Sequence, residues 1–413
     1  MKYNLEYLKI DWHHSRPHRA TPHRLCEKRS DEAIQEAKQP SGLLPASLTL
    51  AVAMTPTLKA LIITIAAFLV LSAAPASAQT KGKTTIQGRD AGGDAGPASG
   101  GGDNILDYRE QMRKFVQNIS NYARSLRPAF VVIPQNGPEL LVKQDVADPE
   151  KSSPAYAYMH SIDGVLQEAL FFGMGAPVNK DKQTALLALT DQAKENGLKV
   201  LVVDYAGKAE TADQSYSLNS AKGYIPFAAH QRIEDINSLP PYPKRPVNEN
   251  PTSILSLRDA MNFLVIGDSS AFGRVDEFAM KIHDTNYDVV ITDIFHGRAP
   301  LSKKAVETLK FKKVGGRRLV LAHVDIGSAA SYRYYWKPHW REGSPLWINA
   351  PHRDDPDNYY VQYWQPEWQK VITGDAQSLI SGIVTQGFDG VVLGGVDAYL
   401  FFEGAINAEE EGQ

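Results

Sequence analysis

Two acidic residues follow short apolar runs in this chain: Asp204 comes after Val200–Val203, and Asp293 after Val289–Thr292. Gln135-Asn136 closes the run Phe130–Ile133 in the same manner. A carboxylate delivered to the C-terminal end of a parallel strand is placed to move a proton or steady a developing charge, although it can equally cap the next helix. Farther on, three blocks interleave aromatic and acidic residues. The first spans 326–336 and holds Tyr332, Arg333 and Trp336; the second spans 359–369 and holds Tyr363, Trp364 and Trp368; the third spans 387–399 and holds Asp389, Asp397 and Tyr399. Flat apolar ring faces beside hydrogen-bonding tips are what a sugar-binding cleft requires. Arg333, Tyr332, Trp336, Tyr363, Trp364, Asp397 and Tyr399 are therefore candidate substrate contacts. Each also has a plainer role open to it. Trp364 and Trp368 are four apart and can pack one helix turn; Asp397 can pair with Arg333; Asp389 can hold backbone N–H groups in its Gly-Phe-Asp-Gly turn.

Positioning these residues is work for a regular scaffold. Tyr108, Met112, Phe115, Ile119, Tyr122 and Leu126 recur at helical spacing, which predicts a helix capped by Asp103 or Asn104. Beyond Pro128, apolar runs at 130–133, 200–203, 262–266, 289–292, 319–322 and 391–393 read as strands. Segments 182–196, 256–261, 274–284, 302–309 and 376–386 read as helices between them. Buried strands alternating with helices predict an α/β parallel sheet, and the length favours a (β/α)8 barrel over an open sheet. No Gly-x-Gly-x-x-Gly follows the first run, so nothing calls for a dinucleotide, and no cofactor is expected.

Composition narrows the class. A net charge of −3 gives no support for nucleic-acid binding. Lys59, the apolar run 60–74 and Ala76-Ser77-Ala78 follow the order of a secretory signal peptide, so 54–78 is expected to be cleaved and the protein secreted or periplasmic. The run is shorter than the ~20 residues a membrane span prefers. A signal beginning at Met54 makes 1–53 an expected spurious upstream extension. His13, His14, His18, His23 and Cys26 fall there, at spacings that match no standard zinc pattern, and no metal site is expected. Cys26 is the only cysteine, so the mature chain would hold no disulfide. Residues 79–103, rich in Gly, Ala and Asp, read as a flexible linker ahead of one domain, 104–413.

The segments 130–137, 161–165 (Ser-Ile-Asp-Gly-Val), 287–293 (Tyr-Asp-Val-Val-Ile-Thr-Asp) and the three aromatic blocks together resemble the secreted barrel family related to endo-α-1,4-polygalactosaminidase, glycoside hydrolase family 114 in the broad sense. The resemblance runs from about Tyr108 to Glu403. It implies a (β/α)8 TIM barrel acting on an extracellular polysaccharide, one rich in amino sugars such as galactosamine. Two positions depart from the family pattern: Ser328 and Gly394 stand where carboxylates are expected. Glycoside hydrolysis ordinarily needs two carboxyl groups at a defined separation. Asp293 is the best surviving candidate, with Asp204 and Asp325 behind it. A carbohydrate-binding pseudoenzyme is the alternative expectation, and a barrel that binds another protein the third.

Overall fold

In the computed structural model, which describes residues 106–145, 148 and 151–405, the first element is helix α1, Tyr108–Leu126. The signal peptide, the linker and the upstream segment all lie outside the described residues. Met112, Phe115, Val116, Ile119 and Ala123 form the buried stripe of α1, so its predicted period is the one it uses. Its cap is Asp107, whose Oδ1 accepts from Glu110 N at 2.8 Å. The proposed Asp103 and Asn104 lie outside the described residues.

Eight parallel strands follow: β1 (Val131–Pro134), β2 (Gly164–Glu168), β3 (Lys199–Tyr205), β4 (Ile225–Ala229), β5 (Phe263–Ile266), β6 (Val289–Thr292), β7 (Leu319–Asp325) and β8 (Gly390–Gly394). Their near-continuous apolar sequences match burial on both faces. The principal helices between and after them are α2 (Lys180–Glu195), α3 (Ala209–Lys222), α4 (Val275–His283), α5 (Lys303–Leu309), α6 (Pro366–Thr373) and α7 (Leu379–Gln386).

The expected closed barrel does not form among the described residues. Strands β1-β8-β7-β6-β5 make a five-stranded sheet and β2-β3-β4 a separate three-stranded one. A single bridge, Gln135 to Leu166, links the β1 end to β2. No ladder joins β4 to β5; the long segment 230–262 between them is irregular apart from two short 3-10 turns. The molecule is a mixed α/β fold with two parallel sheets.

All eight strands still present their C-terminal ends to loops, where ligands bind in parallel α/β sheets. Beyond β7, the strands Ser328–Ala330, Ile348–Pro351 and Asn358–Val361 form a small antiparallel insert that carries much of the aromatic block. Gly327 and Gly395 bring the loops after β7 and β8 together. A Cβ on Gly395, whose φ is +67°, would lie 2.2 Å from Asp325 Oδ1, and one on Gly327 would lie 2.0 Å from Gly395 O. Only glycine tolerates this approach.

Candidate active site at the strand ends

The loop after β7 holds Asp325 by backbone. Its Oδ1 accepts from Gly327 N at 2.8 Å and from Ser328 N at 2.9 Å. At the end of β6, Asp293 accepts from Phe295 N at 2.8 Å and pairs with Arg333 at 2.8 Å. Asp397, which sequence alone left free to pair with Arg333, sits instead in the loop after β8 and forms no ion pair among the described residues. Burial, with Asp325, Glu168 and Glu139 nearby, pushes its carboxyl up to about 7.

Glu168, at the end of β2, belongs to the same mouth and was missed by sequence reasoning. Its Oε1 accepts from Gln135 Nε2 at 2.7 Å and Asn136 Nδ2 at 3.0 Å, while Oε2 accepts from the Tyr205 hydroxyl. The carboxylate takes the amide N–H of Gln135, so the amide oxygen faces His323 Nε2 at 2.6 Å and that nitrogen must donate. A relay of His323, Gln135, Glu168 and Tyr205 thus joins β7, β1, β2 and β3. Burial and the Glu168 charge push the Tyr205 phenol well above its usual range. A signal for Glu168 was present: Val-Leu-Gln-Glu ends an apolar run with an acid, as Val-Val-Asp does before Tyr205.

The other candidates divide by position. Asp204 is fully buried between β3 and α3, and its carboxylate accepts from Phe171 N, Phe172 N, Ser215 Oγ and Asn219 Nδ2 at 2.7–3.1 Å. That environment leaves it no access to a ligand. Tyr363 is fully buried, donating to Tyr108 O at 2.9 Å, and Trp364 packs on Tyr108 and Phe402 beside α1. Tyr399 is buried beneath Arg109 and donates to Glu139 at 2.8 Å. These three rings hold the fold together. Tyr332 is 57% exposed, with its hydroxyl 3.1 Å from Asp355 and Arg333 over its ring. Trp336 is half-buried and stacks on Tyr359.

The two positions where the resemblance implied carboxylates, Ser328 and Gly394, both lie at the site. Ser328 is buried, and its Oγ makes no hydrogen bond among the described residues. A Cβ on Gly394 would meet His323 Nε2 at 3.4 Å, so a carboxylate there would face the relay that Glu168 now occupies. Ser328, His352, Tyr360, Asp397, Ala398 and Leu400, with Gly327 and Gly395, line a pocket of about 210 Å³. No group of three metal-ligating side chains occurs among the described residues.

No established family model matches the chain. It is similar to an uncharacterized protein of Deinococcus radiodurans, 31% identical over 118 residues, covering 29% of this chain and 36% of the relative. An uncharacterized protein of Methanocaldococcus jannaschii is 32% identical over 123 residues, covering 30% of this chain and 34% of that one. A third, from Thermotoga maritima, is 28% identical over 130 residues, covering 31% and 39%. The matches thus span little more than a third of these relatives.

Proposed function

We propose that this chain is a glycoside hydrolase acting on an extracellular polysaccharide, with Asp397 as the proton-donating acid and Asp325 as its companion carboxylate. The observation that carries this reading is the convergence of Asp397 with Asp325 and Glu168, while Asp293, at a neighbouring strand end, is held by Arg333. A carboxyl that keeps its proton to about pH 7 suits protonation of a leaving glycosidic oxygen. Asp325 uses only Oδ1 in hydrogen bonds to the backbone, which leaves Oδ2 to attack the sugar carbon or to activate water. Asp293, the first candidate from sequence, is held by Arg333 and serves better as a fixed negative charge beside a developing oxocarbenium ion.

The test is cleavage of galactosaminoglycan, offered in N-acetylated and de-N-acetylated forms, by the purified full chain. Asp397→Asn is expected to lower the rate about 10²–10⁴-fold, the usual worth of general acid catalysis. Turnover that survives this change at full rate overturns the assignment of the acid. Ser328 and Gly394, which supply no carboxylate, support a second reading in which the mouth binds glycan without cleaving it. Binding with no product is the outcome that favours it. Ser328→Glu combined with Gly394→Asp then raises hydrolysis if those positions are the missing acids.

A further inference from the structure

The pocket beside Asp397 has walls of two kinds. One is polar and unsatisfied: Ser328 Oγ and His352 Nε2 are buried atoms with no hydrogen-bond partner among the described residues. Leaving such atoms unpaired costs free energy, about 1–3 kcal/mol for a typical buried group, unless a ligand satisfies them. The other wall is apolar, made by Ala398, Leu400 and the ring of Tyr360, which is stacked between His352 at 3.8 Å and Phe401 at 4.1 Å. Nothing in the lining offers a positive charge, and Asp325 lies close by, so an anionic ligand is disfavoured.

We infer that this pocket receives a neutral amide-bearing substituent of the N-acetyl kind, with Ser328 and His352 bonding its C=O and N–H and the apolar wall covering its methyl. The inference rests on the proposed glycan reading for its substrate class. An amide has one acceptor and one donor, matching a hydroxyl and a neutral imidazole. Burial, joined by the charge of Arg232, keeps His352 below the usual histidine range against the opposing charges of Asp325, Asp355 and Asp354, so its ring is neutral near pH 7. Asp397, facing Asp325 from β7, Glu168 from β2 and Glu139 and Tyr399 from the adjoining turns, with Arg109 of α1 over Tyr399, is the remaining titrating wall. Protonated, it adds a donor for the carbonyl. An ammonium group would leave the apolar wall uncovered and compete for that proton.

The probes are N-acetylglucosamine, glucosamine and glucose, which differ only in bearing an acetamido, ammonium or hydroxyl group on one carbon. Their binding to the full chain is followed by NMR titration. N-acetylglucosamine is expected to bind at least tenfold more tightly than the other two at pH 6, and to weaken as pH rises through 7 and Asp397 ionises. Ser328→Ala should weaken it by about two- to tenfold, the worth of one hydrogen bond, without moving the other two. Asp397→Asn, which keeps a neutral donor, should retain the acetamido preference and remove its pH dependence while lowering glycan cleavage by about 10²–10⁴-fold. Tighter binding of glucosamine, equal binding of all three sugars, or no effect of Ser328→Ala overturns the inference. Since the Asp397→Asn chain reads sugar preference apart from cleavage, failure of the hydrolase reading remains distinguishable from failure of this one.

Discussion

The acids at the two ends of the strands live under opposite conditions. At the N-terminal ends, Asp163, Asp288 and Asp389 each immediately precede a strand, β2, β6 and β8, and each accepts a backbone N–H from an adjacent segment of the chain, at Val132, Met261 and Val320. All three also meet cations: Arg124 for Asp163, Lys312 for Asp288, and both Arg127 and Lys310 for Asp389. At the C-terminal ends, Asp293 pairs with Arg333, and among the described residues Glu168, Asp325 and Asp397 form no ion pair within 4 Å. Carboxylates that are paired and hydrogen-bonded hold strands in register. Those left in excess beside a pocket store electrostatic cost, and such cost is characteristic of sites that bind or react. Residue type does not separate the two groups; the partners do.

Breaking the closed end, the paired acids at the N-termini of the strands, should give the largest effect on stability. Asp288 and Lys312 are both fully buried and 2.5 Å apart, with Asn250 and Met261 N completing the carboxylate's shell. Asp288→Ala leaves the ammonium of Lys312 buried without its counter-charge and is expected to cost about 3–5 kcal/mol in urea unfolding. If the loss is below about 1 kcal/mol, the closed end is not the structural anchor that its pairing indicates.

A more gradual effect, of opposite kind, is expected at the mouth. Folded Asp397 holds its proton to about pH 7, whereas an unfolded aspartate releases it near about 3.9. Between these values the folded chain binds more protons than the unfolded one. The contribution of this group to stability is therefore present at low pH and is lost as pH rises from about 4 to 7, by at most about 1.4 kcal/mol per pH unit. Urea melts of the parent and of Asp397→Asn across that window isolate the slope in their difference. A difference that does not change with pH would place Asp397 among the satisfied acids.

How much of this could be read in advance varied with the physics of each element. Runs such as Val289–Thr292 announce themselves because a strand buried on both faces must be apolar throughout. Strand β4 carries Pro226 and a pair of alanines, which blur that signal. Helix α3 shows no apolar stripe because two of its three inner residues, Ser215 and Asn219, hold Asp204, leaving only Ala212 to pack against Ala206 and Ala228. Closure of a barrel depends on pairing between strands β4 and β5, which lie across an irregular segment, and residue pattern carries no record of it. At the site, Asp204 and Asp293 look alike in sequence, each following a short apolar run. Only the third dimension shows that one faces helix α3 and the other faces Arg333. His352 reaches the pocket from the antiparallel insert, just past the strand Ile348–Pro351 and far in sequence from the ends of the eight parallel strands, so spacing along those strands could not have found it.

The smallest predicted effect divides the aromatic block itself. Trp368 is fully buried, donating from Nε1 to Ile326 O at 2.9 Å, and its ring belongs to the core beneath the mouth. Tyr332, in the same composition of sequence, stands on the outside of the insert, where removal leaves no cavity. Desolvation and the Asp355 charge raise its phenol to about 12, so it remains a neutral donor at any pH where the chain would act. Tyr332→Ala is expected to leave the unfolding midpoint within about 0.5 kcal/mol of the parent, as for other surface changes. Glycan affinity measured by calorimetry should fall by about 0.5–1.5 kcal/mol, the worth of one stacking ring. Tyr332→Phe keeps the ring and should recover most of that loss. If phenylalanine restores nothing, the hydroxyl and its bond to Asp355 position the insert, and the sugar-facing surface begins at Trp336 instead.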